Sequence, residues 1–360
     1  MDLPEAASRI IDIGGGDLQR SLRDVLEWKF LLKGKDGESK TNQRRLLPSS
    51  FLSDAIGLKM WHEINRLPNY YQTREEIELL DQRGKEIAGR IADGSVLIDI
   101  GCGDVRKVKP LLSALNDAGK SIIYFGLDLS LDSLLTCLSK TLLPTFASSS
   151  TSKIACFGLW GTFSDLLQWS QATLPTMHPS SPTVFLSLGS FFGNDHFDPA
   201  VALLSQWSKQ AMDPTKGDQI LLGMDAKSDP KTVWDSYHDP DGLIERWMRH
   251  ALSHSNDIFG CDWYHPDDWD VIGLLEQAPA PAETEDHLTL THKFVFKAKR
   301  FVECRELDLT FHAGEEIDCY EVFKYGPNVM TKMFAAAGLK EIRRWVSPSG
   351  TFYDYLLVPN

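Results

Sequence analysis

Residues Ser95–Ser130, SVLIDIGCGDVRKVKPLLSALNDAGKSIIYFGLDLS, decide how this chain folds. An apolar strand, Val96 to Ile100, runs into a tight Gly101-Cys102-Gly103 turn. An amphipathic helix follows, and a second apolar strand ends at Asp128. In a doubly wound α/β sheet, ligands sit outside the carboxyl ends of the strands, and the first glycine turn lets the backbone come close to them. An acid roughly 20 positions further on accepts hydrogen bonds from a ribose diol, and Asp128 stands in that place. The unit predicts an adenosyl-binding site.

Two adenosyl cofactors compete for it, and the glycine pattern separates them. A dinucleotide fingerprint needs a third glycine for close helix packing around a pyrophosphate. Here Gly101-x-Gly103 is followed by Asp104, Val105 and Arg106. S-adenosylmethionine carries no phosphate, so an anionic Asp104 near the helix start is tolerable. The pattern favours the methyl donor over NAD.

At 360 residues the chain is long for one core, which predicts a large domain with an elaboration or two domains. A 42% hydrophobic fraction and ten tryptophans can fill such cores. The net charge of −13 argues against nucleic acid or an anionic membrane as partner, because phosphate binding needs clustered Lys and Arg. A small-molecule substrate and a monomer are expected. Six cysteines without a CxxC pair, no evident signal peptide and no apolar run of about 18 residues fit reduced thiols in a cytoplasmic protein.

Downstream, strands are predicted at Ile154 to Trp160, Thr183 to Gly189 and Gln219 to Asp225. Helices are predicted near Leu131 to Leu142, Phe163 to Thr173 and Pro199 to Met212. Strands spaced by helices imply right-handed crossovers and a parallel sheet. A short helix at Val329 to Ala337 and a hairpin, Leu339 to Val346 and Thr351 to Val358, complete a seven-stranded Rossmann-like sheet of the class I S-adenosylmethionine-dependent methyltransferase type. The expected organisation is residues 74–225 and 326–360 for that domain, with 1–73 and 226–325 forming an α+β substrate-binding cap.

Within the insertion, period-two patterning at His287 to Lys299 and Phe301 to Phe311 suggests an antiparallel sheet, and Glu276 to Glu285 reads as a surface loop. A helix carries Ile244, Trp247, Met248 and Ala251, and an aromatic patch follows at Trp263, Tyr264 and Trp269. Ile10 to Gly16, IIDIGGG, mimics a second glycine loop but lacks an acid-terminated second strand, so it reads as an edge strand and turn before a helix from Leu18 to Leu32. His250 and His254 have metal-pair spacing without a third ligand, and read as part of a surface helix.

The blocks LPNYYQTREEIELL (Leu67 to Leu80), GCGDVRKV, FGLDLS, FGLWGTFSD, LGSFFGND (Leu188 to Asp195) and AGEEI (Ala313 to Ile317) occur in one order over nearly the whole chain. Together they resemble the histidine-specific methyltransferase family of ergothioneine biosynthesis. The resemblance implies an S-adenosylmethionine-dependent enzyme that methylates the α-amine of an aromatic amino acid and releases S-adenosylhomocysteine. It implies that Gly101, Gly103, Lys107, Asp128 and Gly189 line the methyl donor, with Thr162 and Phe163 beside the adenine. Tyr70, Asn194 and Tyr237 are the positions carried over for the zwitterionic end of the amino acid. Asp195 is a candidate for the proton acceptor.

Departures from the family pattern bear on the substrate. Histidine-specific members recognise imidazole with a Glu and a Ser shortly after the AGEE block, where an ungapped reading places Tyr320 and Val322. Glu321 is adjacent, yet neighbouring side chains in a strand face opposite ways. Ser53 stands where the family usually carries a Tyr near the amine, which widens the site or changes the number of methyl groups added. An aromatic-walled pocket suits an indole, so iterative N-methylation of L-tryptophan is the expected activity. Histidine trimethylation, dimethylallyltryptophan N-methylation and non-catalytic adenosyl binding are the alternatives.

Overall fold

The computed structural model describes residues 3–32, 44–147, 151–278 and 289–360. From edge to edge, the larger sheet runs Ile10–Asp12, Ile154–Trp160, Ile122–Asp128, Val96–Asp99, Thr183–Ser187, Gln219–Asp225, Phe352–Pro359 and Leu339–Val346. The first six strands are parallel and the last two antiparallel. Helices Lys109–Asp117, Leu131–Cys137, Phe163–Ala172 and Phe197–Gln210 supply crossovers that parallel pairing requires. Val96–Asp99 and Thr183–Ser187 are buried along their whole length, which explains their uninterrupted apolar character. Strand order reverses between these two, and a crevice opens at their carboxyl ends.

Seven of these strands are those expected from the sequence. The eighth is Ile10–Asp12, which extends the large sheet rather than joining a cap. Gly158 donates its backbone N–H to Arg9 and Ile13 donates to Trp160, each at 3.0 Å. A side chain at Gly158 would come within 3.1 Å of Ile10, so the glycine makes room for this neighbour. The segment before residue 73 is therefore divided. Its first strand belongs to the large sheet, while the helix Leu18–Lys29 packs Leu22 and Leu26 into a separate core.

That core also holds Phe30, Phe51, Trp247, Trp263, Trp269, Phe296 and Phe311, so the aromatic patch is interior. It underlies a second sheet ordered Arg45–Leu46, Glu316–Lys324, Thr289–Ala298 and Trp269–Ala278. Glu276 and Gln277 continue that last strand, and the rest of the expected loop, 279–285, lies outside the described residues. Phe301 to Phe311 is not a long strand. Val302–Cys304 and Leu309–Phe311 pair with each other around a 3-10 turn that ends at Asp308, φ 50°. His250 and His254 lie on the helix Leu243–Phe259 but point inward. Their rings reach the Asp54 carboxylate (2.7 Å) and the Phe51 carbonyl (3.2 Å), pinning that helix to the N-terminal segment. No helix among the described residues is long and apolar enough to cross a membrane.

Candidate functional site

The crevice begins at the Gly101-Cys102-Gly103 turn. Gly101 has φ 75° and Gly103 φ 34°, backbone that favours glycine. A side chain at Gly101 would come within 3.5 Å of Phe191 and 3.8 Å of Phe163. Those two rings stack at 5.3 Å with an interplanar angle of 22°. Phe163 is exposed, so it is no core residue, and it offers an apolar face beside the turn. Asp128 ends its strand with Oδ1 accepting from the Ser130 N–H (2.9 Å) and Oδ2 from the Ser133 hydroxyl (3.3 Å). Burial raises the pKa of this carboxyl against the pull of those hydrogen bonds.

Thr162 caps the helix that carries Phe163. Its hydroxyl accepts from the Asp165 N–H (3.1 Å) and donates to the Asp165 carboxylate (2.7 Å), closing a capping box. Thr162 thereby fixes where the next helix starts and how Phe163 is presented. Lys107 donates to the Leu188 carbonyl at 3.1 Å, and its Nζ is 4.0 Å from Glu76 Oε2. Gly189, φ 98°, leaves space for that ammonium, since a side chain there would lie 2.5 Å from it. Its N–H donates to Glu76 Oε1 at 2.8 Å. Burial pushes the Glu76 carboxyl up to about 7 against the pull of Lys107.

These features fit S-adenosylmethionine: a bare glycine turn, a carboxylate at a strand end to accept from a diol, and an apolar platform. The cap reaches the same place, because His62 Nε2 lies 3.4 Å from the Gly103 carbonyl. Ser53 lines a hollow of about 210 Å³ with Asp54, Leu129 and Ser130.

Tyr70, Tyr237 and Tyr320 form a closed circuit of five rings with Trp61 and Trp247. Successive centroids are 5.4 Å apart for Trp61–Tyr70, 6.2 Å for Tyr70–Tyr237, 6.4 Å for Tyr237–Tyr320, 5.5 Å for Tyr320–Trp247 and 4.8 Å for Trp247–Trp61. The Tyr237 hydroxyl accepts from Gln72 Nε2 (2.9 Å) and Lys324 Nζ (3.0 Å), so its own proton remains to be donated. Lys324 also pairs with Asp225 at 2.6 Å, and the Tyr71 hydroxyl donates to the same carboxylate at 2.7 Å. Burial raises the pKa values of Tyr70 and Tyr237 well above normal, which keeps both phenols protonated. Among the described residues, the Tyr70 hydroxyl has no hydrogen-bond partner.

Asn194 Oδ1 accepts from the Phe323 N–H at 2.7 Å, leaving the amide NH₂ as what it offers a ligand. Tyr320 and buried Val322 share one face of their strand with Lys324, whereas Glu321 turns to the other face and lies 3.6 Å from His196. Burial lifts the Tyr320 phenol to about 12. Asp195 is exposed and accepts from the His196 N–H at 2.7 Å, which places its carboxylate outside the buried cluster. A hollow of about 620 Å³ opens beside this loop, lined in part by His196, Lys293, Glu321 and Phe323.

Sequence reading missed Lys324, Asp225, Gln72, Glu76, Phe191 and Trp61 as site residues. For Lys324 a signal existed: it continues the period-two series Tyr320, Val322 on one strand face, where an ion needs a partner.

Comparison with known proteins adds a consistent result. The family described as histidine-specific, S-adenosylmethionine-dependent methyltransferase matches residues 33–359. Ergothioneine biosynthesis protein 1 of Neurospora crassa is 29% identical over 93% of this chain, which spans only 35% of that protein's length. The N-methyltransferase imqF of Aspergillus flavus is 27% identical over 89% of this chain and 81% of its own. The 4-dimethylallyltryptophan N-methyltransferase easF of Claviceps fusiformis is 28% identical over 95% and 93%.

Proposed function

The chain belongs to the histidine-specific, S-adenosylmethionine-dependent methyltransferase family, and from that premise we propose that it methylates the α-amine of L-tryptophan, more than once per molecule. The observation that carries this reading is the strand face Tyr320–Val322–Lys324. By resemblance, histidine-specific members place a Glu and a Ser where Tyr320 and Val322 stand. The neighbouring Glu321 projects from the opposite strand face and lies 3.6 Å from His196, so it does not stand in line with Tyr320 and Val322. A wall of aromatic and aliphatic groups takes an indole and disfavours a ring whose polar atoms stay unpaired.

When bound, the donor supplies a sulfonium-borne methyl carbon for in-line displacement. The enzyme's task is orientation at near-attack distance. Tyr237 donates to the substrate carboxylate, the Asn194 amide donates beside it, and Tyr70 faces the amine. Since their pKa values are raised, Tyr70 and Tyr237 are poor bases at neutral pH, and the ammonium proton leaves through water.

The test is direct. Pure protein with S-adenosylmethionine and either tryptophan or histidine should yield methylated tryptophan by mass, with two methyl groups at long times. Methylated histidine beside untouched tryptophan would end this reading.

A further inference from the structure

His292 sits directly opposite Val322 on the neighbouring strand, and Phe294 sits directly opposite Tyr320. The His292 ring stacks on Tyr237 at 4.6 Å and 19°, and meets Phe294 at 4.8 Å nearly edge-on. It thus adjoins both the wall and the phenol that holds the amino-acid end. The residue is 0% exposed, yet neither ring nitrogen has a hydrogen-bond partner among the described residues. The nearby His238 is engaged elsewhere, stacked on Trp234 at 3.7 Å with Nδ1 2.9 Å from the Trp234 carbonyl.

A buried polar group left unpaired costs about 1–3 kcal/mol, and an apolar side chain of similar shape would avoid that cost. Burial, reinforced by His238 and Lys324, pushes the His292 imidazole down to about 3. The neutral ring has one accepting and one donating nitrogen. We propose that His292 is a specificity-determining residue whose accepting nitrogen takes the N–H of the substrate's heteroaromatic side chain, selecting an indole over isosteres that lack the donor. The inference rests on the preceding reading, in which Tyr237 and Asn194 hold the carboxylate end and the side chain runs along the Tyr320–Val322 wall.

The experiment compares kcat/KM for L-tryptophan and L-3-benzothienylalanine, which replaces the indole N–H with sulfur at nearly constant shape. Wild type should prefer tryptophan by about tenfold or more, because a site built to pair an N–H rejects the analogue without it. His292→Phe should bring the preference within about twofold by slowing tryptophan alone, and His292→Gln, which retains an acceptor, should keep part of it. Calorimetric binding of S-adenosylhomocysteine checks that the variants are folded. Equal use of both amino acids by wild type overturns the proposal without any variant, as does an undiminished preference in His292→Phe. Either result with tryptophan still methylated leaves the substrate reading standing, whereas methylation of histidine alone overturns both.

Discussion

Lys324 and Asp225, 3% and 0% exposed side chains, stand 2.6 Å apart behind the Tyr237 phenol. Removing one partner of a buried ion pair strands the other, so Lys324→Met should lower unfolding free energy by about 3–5 kcal/mol in urea titration. Tyr237→Phe leaves the pair intact and removes the hydrogen bond proposed to the substrate carboxylate. A fall of about 10–100-fold in kcat/KM for tryptophan is expected, the size of a charge-assisted hydrogen bond. Asn194→Ala should lower kcat/KM comparably, and full activity in that variant would remove Asn194 from the site. Tyr70 and Asn194 stand in blocks that are distinctive in sequence, which is what made them candidates before the fold was known. Asp225 did not stand out, since its significance depends on a lysine that only the folded chain brings to it, and no pattern announces that Ser53 shares a hollow with Leu129 and Ser130.

The helix Tyr71–Arg90 joins the two halves of the site, with Tyr71 and Gln72 serving the substrate cluster and Glu76 the donor loop. Glu76 and the fully buried Asp354 both crowd the place where Gly223 lacks a side chain. Burial, opposed by Lys107, raises the Glu76 carboxyl from 4.5 to about 7. The native state therefore holds a proton that the unfolded chain has released. That contribution is full below pH 4.5 and is lost as pH rises through about 7. Glu76→Gln should be closest to wild-type stability near pH 5 and gain on the order of 2 kcal/mol relative to it at pH 8, read from urea midpoints. At this scale the sequence was informative wherever hydrophobic periodicity decided, as in the crossover helices and the final hairpin. It failed at Phe301 to Phe311, where alternation continues through a turn that Asp308 bends back on itself.

Across the whole molecule, the N-terminal strand covers the edge of Ile154–Trp160, and Gly15 packs so closely on the Trp160 ring that a side chain there would lie 2.1 Å from it. Deleting residues 1–17 uncovers a strand edge that leads into the Thr162 cap and Phe163. A lower melting temperature, by several degrees, and light scattering on heating are expected. The eight-stranded sheet was legible as seven strands because three residues carry too little periodicity to reveal their partner. Another consequence lies in the ribbon Glu316–Lys324. Under the proposed function, Lys324 backs the phenol at the end common to every amino acid, while Tyr320 and Val322, at alternate positions on the same face, meet only what varies. On that reading, a change of two codons alters which side chain is accepted while the grip on the shared backbone persists.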